Sequence, residues 1–530
     1  MGIFFVITSN LFGLYPPIVI RYALDLVKDN LILFKLMAGA KLQTTFYVLF
    51  GWLVFYFGAS ILFLSLVKGM LMFFMRQTII VMSRHVEYDQ KNELYAQYQL
   101  LDAAFYKRNN TGDLMNRITE DVSRVRMYIG PAIMYAVNTL AMFVMVIYTM
   151  FQVNAYLSFY VLLPLPLLSY SIYKVSSVIN IKSERIQRKL SGLTSQAQES
   201  FSGIRVIQSF SREKSITAEF EKNSSDFKSL SLDLGRTDAF FAPLMLLLIG
   251  ISTILAVYIG GNEVIRGRFT TGNIAEFIYY INMLTWPVAS LGWVMSLIQR
   301  AEASQQRINE FLDTKPDIVN QNSSELLSLG SIEFKNISFT YPDTGIQAVK
   351  NVSFLVPQGK KVAIVGRTAS GKSTIAELMV RNYDISEGEI LFNGKSLKSQ
   401  NLNDIRRLIG YVPQEVFLFS DTVSNNITFG NEQADMNKVN HFAKIAYVYN
   451  DIMSLPHGFD TIVGERGVML SGGQKQRISI ARALIKNPEL IIFDDCLSAV
   501  DARTEKEILD NFRRELKNKT VIFITHRIFA

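Results

Sequence analysis

Cysteine is almost missing from this chain: Cys496 stands alone among 530 residues. That excludes an intrachain disulfide, and none is needed where thiols stay reduced. Charge is sparse as well, at 19 % of residues against 49 % hydrophobic. Averaged over the whole chain this is a mild membrane signal, but the apolar excess lies before about residue 312 and the remainder reads as an ordinary soluble α/β domain. No basic leader or small-residue cleavage site accompanies the apolar start at Met1, so that stretch reads as a transmembrane helix and not as a removed signal peptide. Lipidation motifs, low-complexity runs and obvious internal repeats are missing too. The net charge is +8 and the pI about 9.2. Lys and Arg crowd beside apolar helices and do not line a stacking-rich groove, which points to membrane orientation and not to a nucleic-acid partner.

Six apolar stretches reach the roughly 20 residues that a helix needs to cross a bilayer. They are 2–27, 45–67, 129–152, 154–178, 239–262 and 272–296. Pro16-Pro17 in the first and Pro164 and Pro166 in the fourth would break ordinary helices, whereas in a membrane bundle neighbouring helices can satisfy the freed carbonyls. The connections near 28–44, 153 and 263–271 are short. Those near 68–128 and 179–238 are long, charged and helical in pattern, so helices two to five are predicted to continue well beyond the membrane on one side. Lys68, Arg76, Arg84, Lys91, Lys107 and Arg108 lie in the first long connection; Lys174, at the end of the fourth span, and Lys182, Arg185, Arg188 and Lys189 lie on the same side at the second. The positive-inside rule makes that side cytoplasmic. The C-terminal domain follows the sixth span and falls on the same side.

A polar stretch at 314–330, with Pro316 and Asn320-Gln321-Asn322-Ser323-Ser324, reads as a linker. The expected organisation is a transmembrane domain at 1–313, this linker, and an α/β nucleotide domain at 331–530. Strands are predicted at 332–341, 348–356 and 361–365, followed by alternating short strands and helices.

After the strand Val362-Ala363-Ile364-Val365 comes Gly366-Arg367-Thr368-Ala369-Ser370-Gly371-Lys372-Ser373-Thr374, which fits the phosphate-loop pattern G-x-x-x-x-G-K-[ST] in its proper strand-to-helix context. Backbone N–H groups at the helix start would cradle phosphate oxygens. Lys372 would bridge the β- and γ-phosphates, and the Ser373 hydroxyl would take a place on Mg²⁺. About a hundred residues later, Leu470-Ser471-Gly472-Gly473-Gln474 forms a second glycine-rich turn before a helix predicted at 474–485, a second anion site of the same physical kind. Leu490-Ile491-Ile492-Phe493-Asp494 is a buried strand ending in a carboxylate.

This set, behind a long apolar half, resembles the ATP-binding cassette transporters, specifically exporters with fused membrane and nucleotide domains. The resemblance implies a six-helix all-α transmembrane domain followed by an α/β P-loop ATPase. It implies that Tyr341 stacks on adenine, although alone it would be an ordinary strand tyrosine. Gln414, in Tyr411-Val412-Pro413-Gln414, would touch Mg²⁺, and Asp494 would hold it through water. Residues 470–474 would serve the γ-phosphate bound by an opposite subunit. Thr461-Ile462-Val463-Gly464-Glu465-Arg466-Gly467 resembles an exporter-type loop that contacts the partner's coupling helices. Ser498-Ala499-Val500-Asp501 resembles the loop that crosses between nucleotide domains, and His526, in Thr525-His526-Arg527, the switch histidine that contacts the γ-phosphate. His85, His441 and His457 match no site. Segment 104–114 resembles the first coupling helix and its following turn, and segment 202–210 the second coupling helix. Ala369 stands where the family often has glycine, a departure that adds a methyl group. Against the family pattern, both ends of the chain look cut short.

One position departs in a way that bears on chemistry. Family members that hydrolyse ATP well usually have Glu after the Mg²⁺ aspartate, and this chain has Asp495. A carboxylate withdrawn by roughly 1 Å can cost on the order of 10²-fold in rate. Some cassette exporters carry this replacement in one subunit of a heterodimer whose other site does most of the hydrolysis. The expected function is ATP-driven export of an amphipathic drug or lipid across the cytoplasmic membrane, as the weakly hydrolysing half of a heterodimer, with membrane lipid and a second half-transporter chain as partners. A homodimer with a slower Asp495, and an ATP-gated channel or regulatory membrane subunit, are the alternatives. Asn138, Thr139, Asn282 and Thr285 are the polar residues that stand out in the spans.

Overall fold

The computed structural model describes residues 1–36, 42–320 and 328–526. Part of the connection expected near 28–44, the Gln321-to-Ser324 part of the linker, and Arg527 lie outside the described residues. The chain divides into two compact units: Met1–Tyr95 with Met115–Asp313, and Ala96–Leu114 with Thr314–Ala530.

Helices α1 (Gly2–Leu36) and α2 (Leu42–Leu100) open the chain. Two short helices, α3 (Ala103–Arg108) and α4 (Thr111–Asn116), follow. A widened π turn at Arg117–Asp121, α5 (Val122–Met127) and a second π turn at Tyr128–Ala132 lead into α6 (Ile133–Val153). The second π turn contains Pro131, which has no N–H for a regular turn. Then come α7 (Ala155–Leu162), α8 (Pro164–Ser202), α9 (Ile204–Ser209), α10 (Glu213–Ile265) and α11 (Thr271–Leu312). Six helical stretches are long and apolar enough to cross a membrane, among the described residues. At Pro164, which has no N–H, the hydrogen-bond ladder is interrupted between α7 and α8, but Leu163 keeps helical backbone angles and the fourth span continues from Ala155 to Ser202.

Helix α1 instead runs straight through Pro16 and Pro17. These prolines leave the carbonyls of Phe12 and Gly13 without helical donors. The tip of the flexible Lys68 side chain of α2 reaches that turn: a Cβ on Gly13 would stand 2.9 Å from its ammonium nitrogen. Polar contacts tie the spans where apolar packing alone gives little specificity. Asn10 donates to Asn138 at 3.0 Å, and the Thr139 and Ser290 hydroxyls meet at 3.3 Å. Glu276, fully buried on α11, pairs with Arg21 at 3.0 Å and accepts from the Tyr280 hydroxyl at 3.0 Å. Asp25 accepts from Thr270 Oγ1 at 2.7 Å and from the Gly272 N–H at 2.9 Å, beside the Thr270 capping box that starts α11. Beyond the spans, Asp121 is held by Ser304 and Arg307, and Lys182 and Lys189 of α8 pair with Asp233 and Asp226 of α10 at 2.8 and 2.9 Å.

In the second unit, β1 (Ile332–Thr340), β2 (Gln347–Val356), β4 (Glu387–Phe392) and β5 (Lys395–Ser396) form an antiparallel sheet in the order β2-β1-β4-β5. A parallel sheet in the order β3-β8-β7-β6 uses β3 (Lys361–Val365), β6 (Ile409–Val412), β7 (Leu490–Asp494) and β8 (Thr520–Thr525). Helices α12 (Lys372–Met379), α13 (Leu402–Leu408), α14 (Val423–Thr428), α15 (Met436–Ile445), α16 (Tyr449–Met453), α17 (Gly472–Ile485) and α18 (Ala502–Glu515) complete it. One core joins the two sheets around Ile375, Leu378 and Met379 of α12; the other gathers α14, α15 and α17 around Ile427, Val439 and Ile480. The fully buried β7 carries Asp494 to the C-terminal edge of the parallel sheet, beside the loop that leaves β3. That edge is where open α/β sheets bind ligands.

Candidate functional site

The loop after β3 is shaped by its backbone. Gly371 has φ +84, and a Cβ there would meet the Ala348 carbonyl oxygen at 2.2 Å, so glycine is required. Ala369 also has positive φ, at +61, so its departure from glycine strains the backbone besides adding a methyl group. Helix α12 begins at Lys372, leaving its first N–H groups free to bind an anion. The Lys372 ammonium curls over the loop and donates to the carbonyls of Gly366 at 2.9 Å and Arg367 at 2.6 Å.

A cleft of about 560 Å³ brings together Tyr341, residues 368–374, Gln414, Asp494, Asp495 and His526. Gly366 and Arg367 stand at the start of the loop, not on the cleft wall. Ser373 Oγ donates to Asp494 at 3.0 Å. Burial raises the Asp494 pKa above the usual carboxylate range; the Ser373 bond and Lys372 oppose this, and the nearby Asp495 and Glu377 charges add to it. Concentrated negative charge with hydroxyl, amide and carboxylate oxygens suits a hard dication. Among the described residues no group of three or more His, Cys, Asp or Glu could hold a metal by itself. The residues present therefore fit Mg²⁺ carried in with nucleotide phosphates, the usual mode for that ion.

Asp495 is tightly placed. Its φ is +47, its N–H donates to the Ile524 carbonyl at 2.8 Å, and its carboxylate lies 3.1 Å from His526 Nδ1. The Tyr341 hydroxyl is 3.0 Å from Thr374 Oγ1, which fixes the edge of its ring.

Residues 470–474 lie outside this cleft. Their helix starts two residues earlier than the sequence suggested, so Gly472 and Gly473 form the first turn of α17. Ser471 and Gln474 close a reciprocal capping box. Gly473 lies against the Ala499 carbonyl, and Gln476 bonds to both Ser498 and the Ala499 N–H. The segment 498–501 is thereby fastened to α17. Asp501 caps α18, accepting from the N–H groups of Arg503 and Thr504.

Sequence reasoning missed Glu377 and Gln476. Glu377 accepts from Tyr411 at 3.4 Å and from Asn382, and it faces Asp494 from α12. Neither residue belongs to a motif, and only tertiary placement reveals it. The two segments that resemble coupling helices are helical, as α3 and α9.

Known proteins share this arrangement. The family model described as the ABC transporter transmembrane region matches residues 1–288, and that described as ABC transporter matches 349–498. The multidrug resistance-like ATP-binding protein MdlA of Escherichia coli (strain K12) is 37 % identical over 474 residues, 89 % of this chain and 80 % of that protein. An ATP-dependent lipid A-core flippase of Syntrophus aciditrophicus (strain SB) is 33 % identical over 471 residues, 88 % of this chain and 78 % of that protein. Among solved structures, that of a bacterial Atm1-family ABC exporter with ATP bound aligns with a TM-score of 0.75 and 26 % identity, over 99 % of this chain and 90 % of that one. With its apolar helices, phosphate loop and glycine-rich second turn in one polypeptide, this chain belongs to the ATP-binding cassette transporters, as an exporter-type membrane protein with a fused cytoplasmic ATPase domain.

Proposed function

We propose that this chain is the weakly hydrolysing half of a heterodimeric exporter that moves an amphipathic or hydrophobic drug- or lipid-like molecule out of the cytoplasm. The observation that carries the reading is Asp495, a short carboxylate on a backbone pinned to Ile524 and beside His526. A pinned backbone cannot advance to make up the missing methylene, so an attacking water would be poorly held. In this reading Tyr341 stacks on adenine, residues 366–374 wrap the phosphates, and Lys372 releases its carbonyls to bridge the β- and γ-phosphates. Ser373, Gln414 and Asp494 hold Mg²⁺, which neutralises phosphate charge during transfer. Residues 470–474 complete a partner's site.

Exposed apolar surface supports a partner and a lipid environment. Phe201 and Phe210, on either side of α9, are 77 % and 74 % exposed. Trp52, Phe55 and Tyr56 on α2 also face outward. Surface of this kind marks association or membrane contact. The names of the relatives, a multidrug resistance-like protein and a lipid A-core flippase, motivate the substrate class.

A rival reading, a homodimer with a slow but working Asp495, draws on the His526 contact, which still orients the carboxylate. Purification of the tagged chain from its native membrane discriminates the two. The heterodimer reading expects a second half-transporter with Glu at the equivalent position to copurify stoichiometrically; recovery of this chain alone, as a dimer, supports the rival. ATP-dependent accumulation of an amphipathic dye in inside-out vesicles distinguishes either from an ATP-gated channel.

A further inference from the structure

The first long connection contributes one charged group that the function above does not use. Helix α3 is capped at its start by Asp102, which accepts from the Phe105 N–H at 3.0 Å and from the Asp317 N–H at 2.9 Å. At its end Arg108 pairs with Asp317 at 3.3 Å and with Asp343 at 3.2 Å, the latter in the turn just after Tyr341. Between these anchors stands Lys107. Its ammonium lies 5.3 Å from the centre of the Tyr341 ring and 5.1 Å from that of Tyr383, within the range of cation–π attraction. The two rings meet edge to face at 5.4 Å, and Phe339 packs against both. Tyr383 is 4 % exposed. Burial acts to lower the Lys107 pKa, but Tyr383, Tyr341 and Glu377 outweigh it and raise it, so the cation persists at neutral pH.

We propose that Lys107 is a positioning residue for the nucleotide base: it fixes the Tyr341 ring as the stacking platform and adds a positive charge beside the electron-rich purine. Thr374 holds the hydroxyl end of that ring, and Lys107 holds its face. The base is then read by two parts of the chain at once, the phosphate-loop helix and α3. Because α3 follows directly on α2, a change at the base has a covalent route into a membrane-spanning helix. The inference rests on the reading of Tyr341 as the adenine platform.

The test uses the complete chain in lipid nanodiscs and two probes, MgATP and Mg-tripolyphosphate, which has the phosphates without the base. Lys107→Met keeps the length and apolar stem and removes the charge; Lys107→Arg keeps the charge. We expect Lys107→Met to weaken MgATP binding about two- to fivefold, to leave tripolyphosphate binding unchanged, and Lys107→Arg to restore ATP binding. Hydrogen exchange across residues 103–108 should slow with MgATP and not with tripolyphosphate. Equal weakening of both probes would make Lys107 merely structural and overturn the proposal, as would unchanged ATP binding in Lys107→Met or exchange that ignores the base. If the unaltered chain binds both probes equally, the platform reading of Tyr341 itself fails and takes this inference with it.

Discussion

Ala369 and Asp495 are both L residues held at positive φ in the candidate ATP site, at +61 and +47. Such a conformation costs roughly 1–2 kcal/mol without a glycine, and strain of this order tends to collect at functional sites. Ala369→Gly should relieve the loop and raise stability by up to about 1 kcal/mol, partly offset by the flexibility that glycine adds to the unfolded chain. An upward shift of the melting transition is expected; a fall would mean that the methyl group makes a contact worth more than the strain. At this scale the sequence was legible where chemistry fixes a residue type at a fixed spacing: Lys372, Ser373, Asp494 and Asp495 stand together in the cleft. It was silent on Glu377 and Gln476, and it read Lys107 only as a charge on the cytoplasmic side, because contacts between segments distant in the chain are not written in local pattern. It also treated Ala369 as a matter of one methyl group, because backbone dihedrals are invisible in composition.

Among elements, the membrane helices follow from apolar length, and their breaks from proline. Yet Pro164 interrupts the hydrogen-bond ladder within its span while Pro16 and Pro17 leave α1 in one piece, and no periodicity separates the two cases. What a residue in a span meets is set by its neighbours in space: the tip of Lys68 lies against Gly13 of α1. The same holds for Arg21 and Glu276, ordinary charged residues in sequence and a buried tether between α1 and α11 in space. Glu276 is fully buried and also serves Tyr280. Replacing it by Gln removes the charge-assisted part of both bonds, a loss of about 1–3 kcal/mol. Thermal unfolding of Glu276→Gln in lipid should show a clear decrease; an unchanged transition would mean that the pair only breaks even against its own desolvation. The start of α17 lies two residues earlier than the sequence suggested. This places Gly472 and Gly473 inside the first helical turn, where the N–H groups have no partner within the helix.

For the whole molecule, two compact units with a candidate phosphate cleft in the second are consistent with a chain that works as half of an assembly. The cleft contains the phosphate loop and its carboxylates, while residues 470–474 lie elsewhere on the same unit. A site that uses both features in one place would need two chains. The account's central claim is that this chain binds ATP well and hydrolyses it poorly because the Asp495 carboxylate falls short. The measurement that tests it most directly is Mg²⁺-dependent ATPase turnover of the purified complete chain in lipid, beside Asp495→Glu. The account predicts negligible turnover in the unaltered chain and a rise on the order of 10²-fold in the variant. Brisk turnover with Asp495 in place would contradict it and leave the homodimeric exporter as the better description.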